Sequence, residues 1–187
     1  MAVDVALVPE WRLAGDDEAQ IAELLARSFP QAEEDFGGRS YASQRHHLRL
    51  VARDGDRTVA HLALTLRAMM LGARRIDVLG LAEVATDPDR RGEGLAGKLV
   101  DRAIALAETG PAEALALFGV ARLYAGRGFV TVANPLRCTV VTEGRTVRLR
   151  TLPPPHEFMV RSARPGAAGL PEGWDETLPL DLAGPAF

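Results

Sequence analysis

The order of apolar patterns along the chain predicts an α+β or α/β fold, one largely antiparallel sheet flanked by helices. Two-residue alternation over residues 48–86, broken twice by glycine-containing turns, reads as a three-strand meander. A helical apolar period over residues 95–108 follows it and is closed by Gly110-Pro111. Short apolar runs at 113–118 and 129–132 then bracket a second helical stretch, so helices and strands interleave after the meander. With 187 residues, 47% of them hydrophobic and 25% charged, residues 1–187 are expected to form a single domain around one core.

Each element has its own signal. Residues 3–8 form an apolar run ending at Pro9, a short strand. Asp16-Asp17-Glu18 then opens a helix with Ile21, Leu24, Leu25 and Phe29 on one face. Residues 31–44 are polar and read as a loop, with a helical turn near Ser43. Leu48, Leu50 and Ala52 alternate with Arg49, Val51 and Arg53, and Asp54-Gly55-Asp56 supplies hairpin residues. The next strand covers residues 58–70, Leu71-Gly72-Ala73 turns, and residues 75–86 complete the meander. Asp87-Pro88-Asp89 stops that strand, and the helix of residues 95–108 carries Leu95, Leu99 and Ala103 inward. Residues 113–118 read as a buried strand, 120–125 as a short helix, 129–132 as a strand. Cys138, Val140 and Thr142 alternate with Thr139, Val141 and Glu143, and Glu143-Gly144 turns into a partner strand at 146–149. Pro153-Pro154-Pro155 is a stiff spacer before a last strand at 158–160. The tail from Ala163 carries few helix or strand signals, and residues 135–187 are expected to supply C-terminal strands and an acceptor-side tail.

Charge and cysteine content exclude several functions. Twenty-two basic residues against 25 acidic ones leave a net charge of -3, without the basic footprint of a nucleic-acid or anionic-membrane binder. Cys138 is the one cysteine, so no internal disulfide and no thiolate zinc site is expected. His46, His47, His61 and His156 show no metal-ligand spacing. No stretch reaches the roughly 18 apolar residues of a membrane span, and no secretory leader pattern opens the chain. The expected setting is cytoplasmic.

Between the meander and the long helix lies Arg91-Gly92-Glu93-Gly94-Leu95-Ala96. Glycines at a strand-to-helix turn, free N–H groups at a helix start and the charges of Arg90 and Arg91 suit a pyrophosphate. Neither the lysine and hydroxyl of a P-loop nor the βαβ setting of a dinucleotide fingerprint is present.

Arg91, Gly94 and Ala96, following the strand to Thr86 and Asp87-Pro88-Asp89-Arg90, resemble the signature of the GNAT superfamily of N-acetyltransferases: Arg or Gln, two residues, Gly, one residue, Gly or Ala. Residues 121–129, Ala-Arg-Leu-Tyr-Ala-Gly-Arg-Gly-Phe, resemble the short-helix motif of that family. Residues 60–92 and 122–128 look like the aminoglycoside 2'-N-acetyltransferases, and residues 174–185 look more like the nodulation N-acyltransferases; both relatives acylate an amino sugar. The resemblance implies the GNAT acyl-CoA N-acyltransferase fold and an N-acetyltransferase that moves an acetyl group from acetyl-CoA to a primary amine of a small molecule. An amino sugar or aminoglycoside is the leading acceptor. A longer-chain acyltransferase and a non-catalytic acyl-CoA-binding protein stay open as alternatives, as does pairing into a homodimer.

Roles follow from the same resemblance. The turn Arg91, Gly92, Glu93, Gly94, Leu95 and Ala96 would hold the pyrophosphate of acetyl-CoA, and the strand Val84, Ala85 and Thr86 its pantetheine arm. The N–H of Val84 would meet charge developing on the acetyl oxygen, an interaction worth about 3 kcal/mol in a dry site. Tyr124, protonated at neutral pH, would return a proton to the departing thiolate. Glu83 is the candidate general base, with burial beside Leu81 and Ala85 expected to raise its pKa. The aminoglycoside enzymes place their strand glutamate one position earlier, at Ala82, so either a bulge restores Glu83 or Glu83 pairs with an arginine. Glu33, Glu34 and Asp35, with Glu172, Asp175, Glu176 and Asp181 in the tail, suggest a polycationic amine or a solvated acidic surface. Trp174 is read as a tail anchor ahead of a sugar platform, His61 as a satisfied sheet histidine ahead of a base, and His156 as a minor acceptor-side contact.

Overall fold

The computed structural model describes residues 3–142 and 145–187, so the expected Glu143-Gly144 turn lies outside the described residues, as do the side chains of Glu33 and Ala121. The chain packs as two compact units, Met1–Thr65 with Ala82–Ala103, and Leu66–Leu81 with Ile104–Phe187. The long strands β3 (Arg57–Leu71) and β4 (Arg74–Thr86) and the helix α3 (Leu95–Thr109) contribute residues to both.

In the first unit, β1 (Asp4–Pro9) runs antiparallel to β2 (Leu48–Asp54), which runs antiparallel to β3 from Leu48↔Leu64 to Asp54↔Arg57. Helix α1 (Gly15–Ser28) has Asp16, Asp17 and Glu18 in its first turn and Arg27 in its last, the charge order its dipole favours. Its buried stripe, Ile21, Leu24 and Leu25, packs with Phe36, Val51 and Ala85, and each such side chain contributes about 1.5–3 kcal/mol of burial. The helical turn expected near Ser43 forms earlier, as α2 (Glu33–Phe36), where Phe36 anchors it by stacking on Phe29. The middle of β2 is covered on both faces: Arg49, Leu50, Val51 and Ala52 are all fully buried. The expected alternation of one wet and one dry face therefore fails there, and a guanidinium is carried into the interior.

In the second unit β5 (Ala114–Phe118) lies parallel to β4 from Val78↔Ala114 to Leu81↔Leu117. After α4 (Ala121–Tyr124) come β6 (Val130–Thr131), β7 (Leu136–Thr142), β8 (Arg145–Leu152), β9 (Phe158–Ser162) and β10 (Leu180–Asp181), in the lateral order β6-β9-β5-β4-β3-β10-β7-β8. Strand β10 was not legible in the sequence. It pairs antiparallel with β3 and parallel with β7, which makes the sheet mixed. The core there includes Met69, Ile76, Val78, Phe158, Leu180 and Leu182, with Trp174 and Phe187 of the tail packed against it. Trp174 also donates through Nε1 to Asn134 Oδ1 at 3.0 Å.

The tail is thus structural, and most of its acidic groups are engaged. Asp181 pairs with Arg137 at 2.9 Å, Glu172 with Arg164 at 3.1 Å, Glu176 accepts from the Ala133 N–H at 2.8 Å, and Asp175 caps Thr177. Asp181 and Glu172 thus meet arginines, while Asp175 and Glu176 keep their charges against neutral partners. No helix among the described residues is long and apolar enough to cross a membrane, and none of their His, Cys, Asp and Glu side chains cluster as a metal site.

Candidate active site

Within the first unit, Glu83 interrupts β4 with φ 53, a left-handed conformation rare for a residue carrying Cβ. Such a backbone costs on the order of 1–2 kcal/mol and persists where its surroundings hold it. Here they hold both ends. The carbonyl of Glu83 accepts from His61 Nδ1 at 3.1 Å; the carboxylate accepts from the Ala42 N–H at 2.9 Å and from Arg49 Nη1 at 3.2 Å, and sits 3.1 Å from His46 Nε2. The arginine partner weighed for Glu83 is present in Arg49, and its left-handed backbone makes the strand irregular at this point.

Arg49 is the hub. It donates from Nε and Nη2 to the two oxygens of Glu10 at 2.7 and 3.1 Å, and from Nη1 to the Ser40 carbonyl at 2.8 Å. His61 Nε2, 3.2 Å from Nη1, accepts there because Nδ1 is the protonated ring atom that reaches Glu83. Burial raises the pKa of Glu83, but the His46 contact, the neighbouring imidazoles and the Ala42 N–H outweigh it, and the net shift is downward. The expected rise is overturned for that reason: a carboxylate this well partnered is ionised and a weak base. Glu10 goes the same way, its burial outweighed by Arg49 and Arg45.

His61 is fully buried, and that burial together with the Arg49 charge pushes its pKa down to about 3. The unfolded chain, with an ordinary histidine near 6.5, takes up a proton first as the pH falls, so stability declines below pH 6.5 by up to about 1.4 kcal/mol per unit. The lowered carboxylates Glu10 and Glu83 add a loss only at more acidic pH. Thermal unfolding of the wild type should fall steadily between pH 6.5 and 4.5, and His61→Gln should flatten that stretch; a flat wild-type curve would contradict the assignment.

The turn after β4 is built by Asp87, whose Oδ1 accepts from Asp89 N–H and whose buried carboxylate holds Arg27 and Arg57 at 3.0 and 2.7 Å. Gly92 and Gly94 have φ 87 and 76, conformations that side chains rarely adopt. Among the described residues, no N–H from Gly92 to Gly97 has a partner outside the helix, and the first N–H groups of a helix have none inside it. Arg91 stands exposed beside them. Arg90, counted with Arg91 as part of the anion site, is instead committed to Glu93 at 2.6 Å and Asp54 at 2.9 Å. The Thr86 hydroxyl is buried without a partner, while its carbonyl accepts from Ser28 Oγ at 3.3 Å.

In the second unit, Tyr124 ends α4 with its ring buried edge-on to Phe129, centroids 5.8 Å apart. Burial pushes its phenol up to about 12, so it is protonated at any physiological pH. Gly119 makes room for it: a Cβ there would lie 2.6 Å from Tyr124 Cε2. His156 is satisfied by the Asn134 carbonyl at 2.8 Å, and Cys138 is buried.

Arg49, Glu10, His46 and Thr65 were not singled out from sequence as site residues. The available signal was a charge at position 49 inside an apolar strand, with an opposite charge at 83 inside another. Their pairing needs the register of β1, β2 and β3.

A family model described as an acetyltransferase (GNAT) domain matches residues 12–132, well over half of the chain, and the protein belongs to that family. No curated protein matches the chain significantly. Among solved structures, the GNAT family N-acetyltransferase YhbS of Escherichia coli, in complex with CoA, is 23% identical, with 97% of this chain and 91% of that one covered and a TM-score of 0.58. A GNAT family acetyltransferase of Brucella melitensis, in complex with acetyl-CoA, is 22% identical over 82% of this chain and 90% of that one, TM-score 0.54. Other matches are longer: the chain spans 33% of the N-acetyltransferase of Kribbella flavida, at 24% identity, TM-score 0.50 and 68% of this chain. These similarities establish the GNAT acyl-CoA N-acyltransferase fold.

Proposed function

We propose that the protein is an acetyl-CoA-dependent N-acetyltransferase acting on a primary amine of a small molecule. The observation that carries this is the set of unengaged N–H groups from Gly92 to Gly97 at the start of α3, with exposed Arg91 beside them. A pyrophosphate answers such donors and the positive end of a helix dipole. The residues fit the donor in a second respect, since the buried Thr86 hydroxyl has no partner of its own. Arg91, Gly92, Glu93, Gly94, Leu95 and Ala96 would hold the pyrophosphate, the Glu93 side chain being occupied by Arg90 so that its backbone contributes. Val84, Ala85 and Thr86 would line the pantetheine arm. Acetyl-CoA supplies an acetyl thioester; the acceptor nitrogen forms the new C–N bond as the C–S bond breaks. Tyr124, held protonated by burial, is the proposed donor to the leaving sulfur.

An amino sugar is the acceptor class to try first, on the resemblance of residues 60–92 to the aminoglycoside 2'-N-acetyltransferases. The test is thiol release from acetyl-CoA against aminoglycosides with and without a free 2'-amino group, glucosamine derivatives and polyamines. Amine-dependent release should appear and fall about a hundredfold in Tyr124→Phe. Acetyl-CoA binding with no release on any amine would favour a non-catalytic binder, and preferential competition by long-chain acyl-CoA would change the donor.

A further inference from the structure

A line of polar side chains leads away from Glu83 that the chemistry above leaves unused. Glu83 Oε1 lies 3.1 Å from His46 Nε2, and His46 Nδ1 lies 3.0 Å from Thr65 Oγ1. Carboxylate, imidazole and hydroxyl thus follow one another from β4, the segment before β2, and β3. All three are shielded: the Glu83 and His46 side chains are each 8% exposed and Thr65 is buried. The buried His46 Nε2 has no directional hydrogen bond, so that what this end of the ring meets is the Glu83 charge.

Charged groups surround His46. Glu83 and Glu10 face it with two negative charges, and Arg49, bonded to both, brings one positive charge. Arg45 divides its charge between Glu10 and Glu18 at the surface, and His61 is held neutral. Glu83, through Oε1, is in direct contact with the His46 ring.

We propose that Thr65, His46 and Glu83 form a proton relay serving the acceptor nitrogen, an assignment that rests on the acetyltransferase reading. As the C–N bond forms, Thr65 Oγ takes the proton leaving nitrogen and passes its own hydroxyl proton to His46 Nδ1. Glu83 stabilises the imidazolium and removes no proton itself, so it acts as a positioning carboxylate. The thiolate released by C–S cleavage is protonated separately by Tyr124. His46 then returns its proton to solvent and Tyr124 regains one, which balances the cycle.

The decisive experiment is the pH dependence of kcat/KM on the best amine, with acetyl-CoA affinity measured by calorimetry for every variant. Thr65→Val should lose about a hundredfold in kcat with acetyl-CoA affinity unchanged, Thr65→Ser should recover most of it, and His46→Asn should abolish the acidic limb of the profile. Wild-type rates and limb in Thr65→Val or His46→Asn, with binding intact, would overturn the relay and leave the transferase reading standing. Loss of acetyl-CoA binding in the wild type would overturn the transferase reading. A second measurement needs no turnover: nitrogen NMR of labelled histidine should show Nδ1 of neutral His46 as the acceptor atom and Nε2 as the protonated one. A proton on Nδ1 of neutral His46 would sink the proposal.

Discussion

Arg49→Ala is expected to lower the free energy of unfolding by about 3–5 kcal/mol, because it strips the partner from two buried carboxylates. For a chain of this size that is roughly 6–20 °C in Tm. The lost guanidinium serves Glu10 through two hydrogen bonds, Glu83 through one and the Ser40 carbonyl through another. The cost lies in the charges left behind more than in attraction forgone. Arg49→Met combined with Glu10→Gln and Glu83→Gln should therefore recover much of the stability, since no unpaired ion remains. Urea unfolding of the single and triple variants decides the matter. A loss below about 1 kcal/mol for Arg49→Ala would mean that water reaches the network and screens the charges left behind.

The second large effect is on the donor. Arg91→Glu with Gly94→Glu should weaken acetyl-CoA binding at least about a hundredfold, some 2.7 kcal/mol. Gly94 holds φ 76, and an added Cβ there meets nothing within 4 Å, so the glycine serves backbone conformation and close approach of a ligand, not packing. Carboxylates beside a helix start also favour the helix itself, which keeps α3 formed while repelling a pyrophosphate. Calorimetry and the loss of ligand-induced thermal stabilisation would both report the change. Undiminished affinity in the double variant would remove acetyl-CoA from the Gly92–Gly97 turn and with it the observation on which the proposed function stands.

Much of this molecule was legible in its sequence because the relevant physics is local. Two-residue alternation with turn glycines located β2, β3 and β4; acidic residues at the start and an apolar stripe located α1; a glycine turn ahead of a periodic helix located the candidate anion site. Strand β10 escaped because two residues at Leu180 and Asp181 carry no periodic signal and become a strand only by fitting beside β3 and β7. The acidic tail read as either an amine-attracting or a solvated surface, because sequence shows charges without their partners. Glu83 is the sharpest case. Its burial was foreseeable, and burial alone raises a carboxylate, but the sign of the shift is set by His46, His61 and the Ala42 N–H, which lie 22 to 41 positions away in the chain. The sequence by itself carried the family resemblance, most of the order of elements and a candidate anion turn, since each rests on neighbouring residues. Only the tertiary structure decided that Arg49 lies inside, that Glu83 is a held charge and not a raised base, and that His46 and Thr65 stand in line with it, because those contacts depend on how distant strands pair.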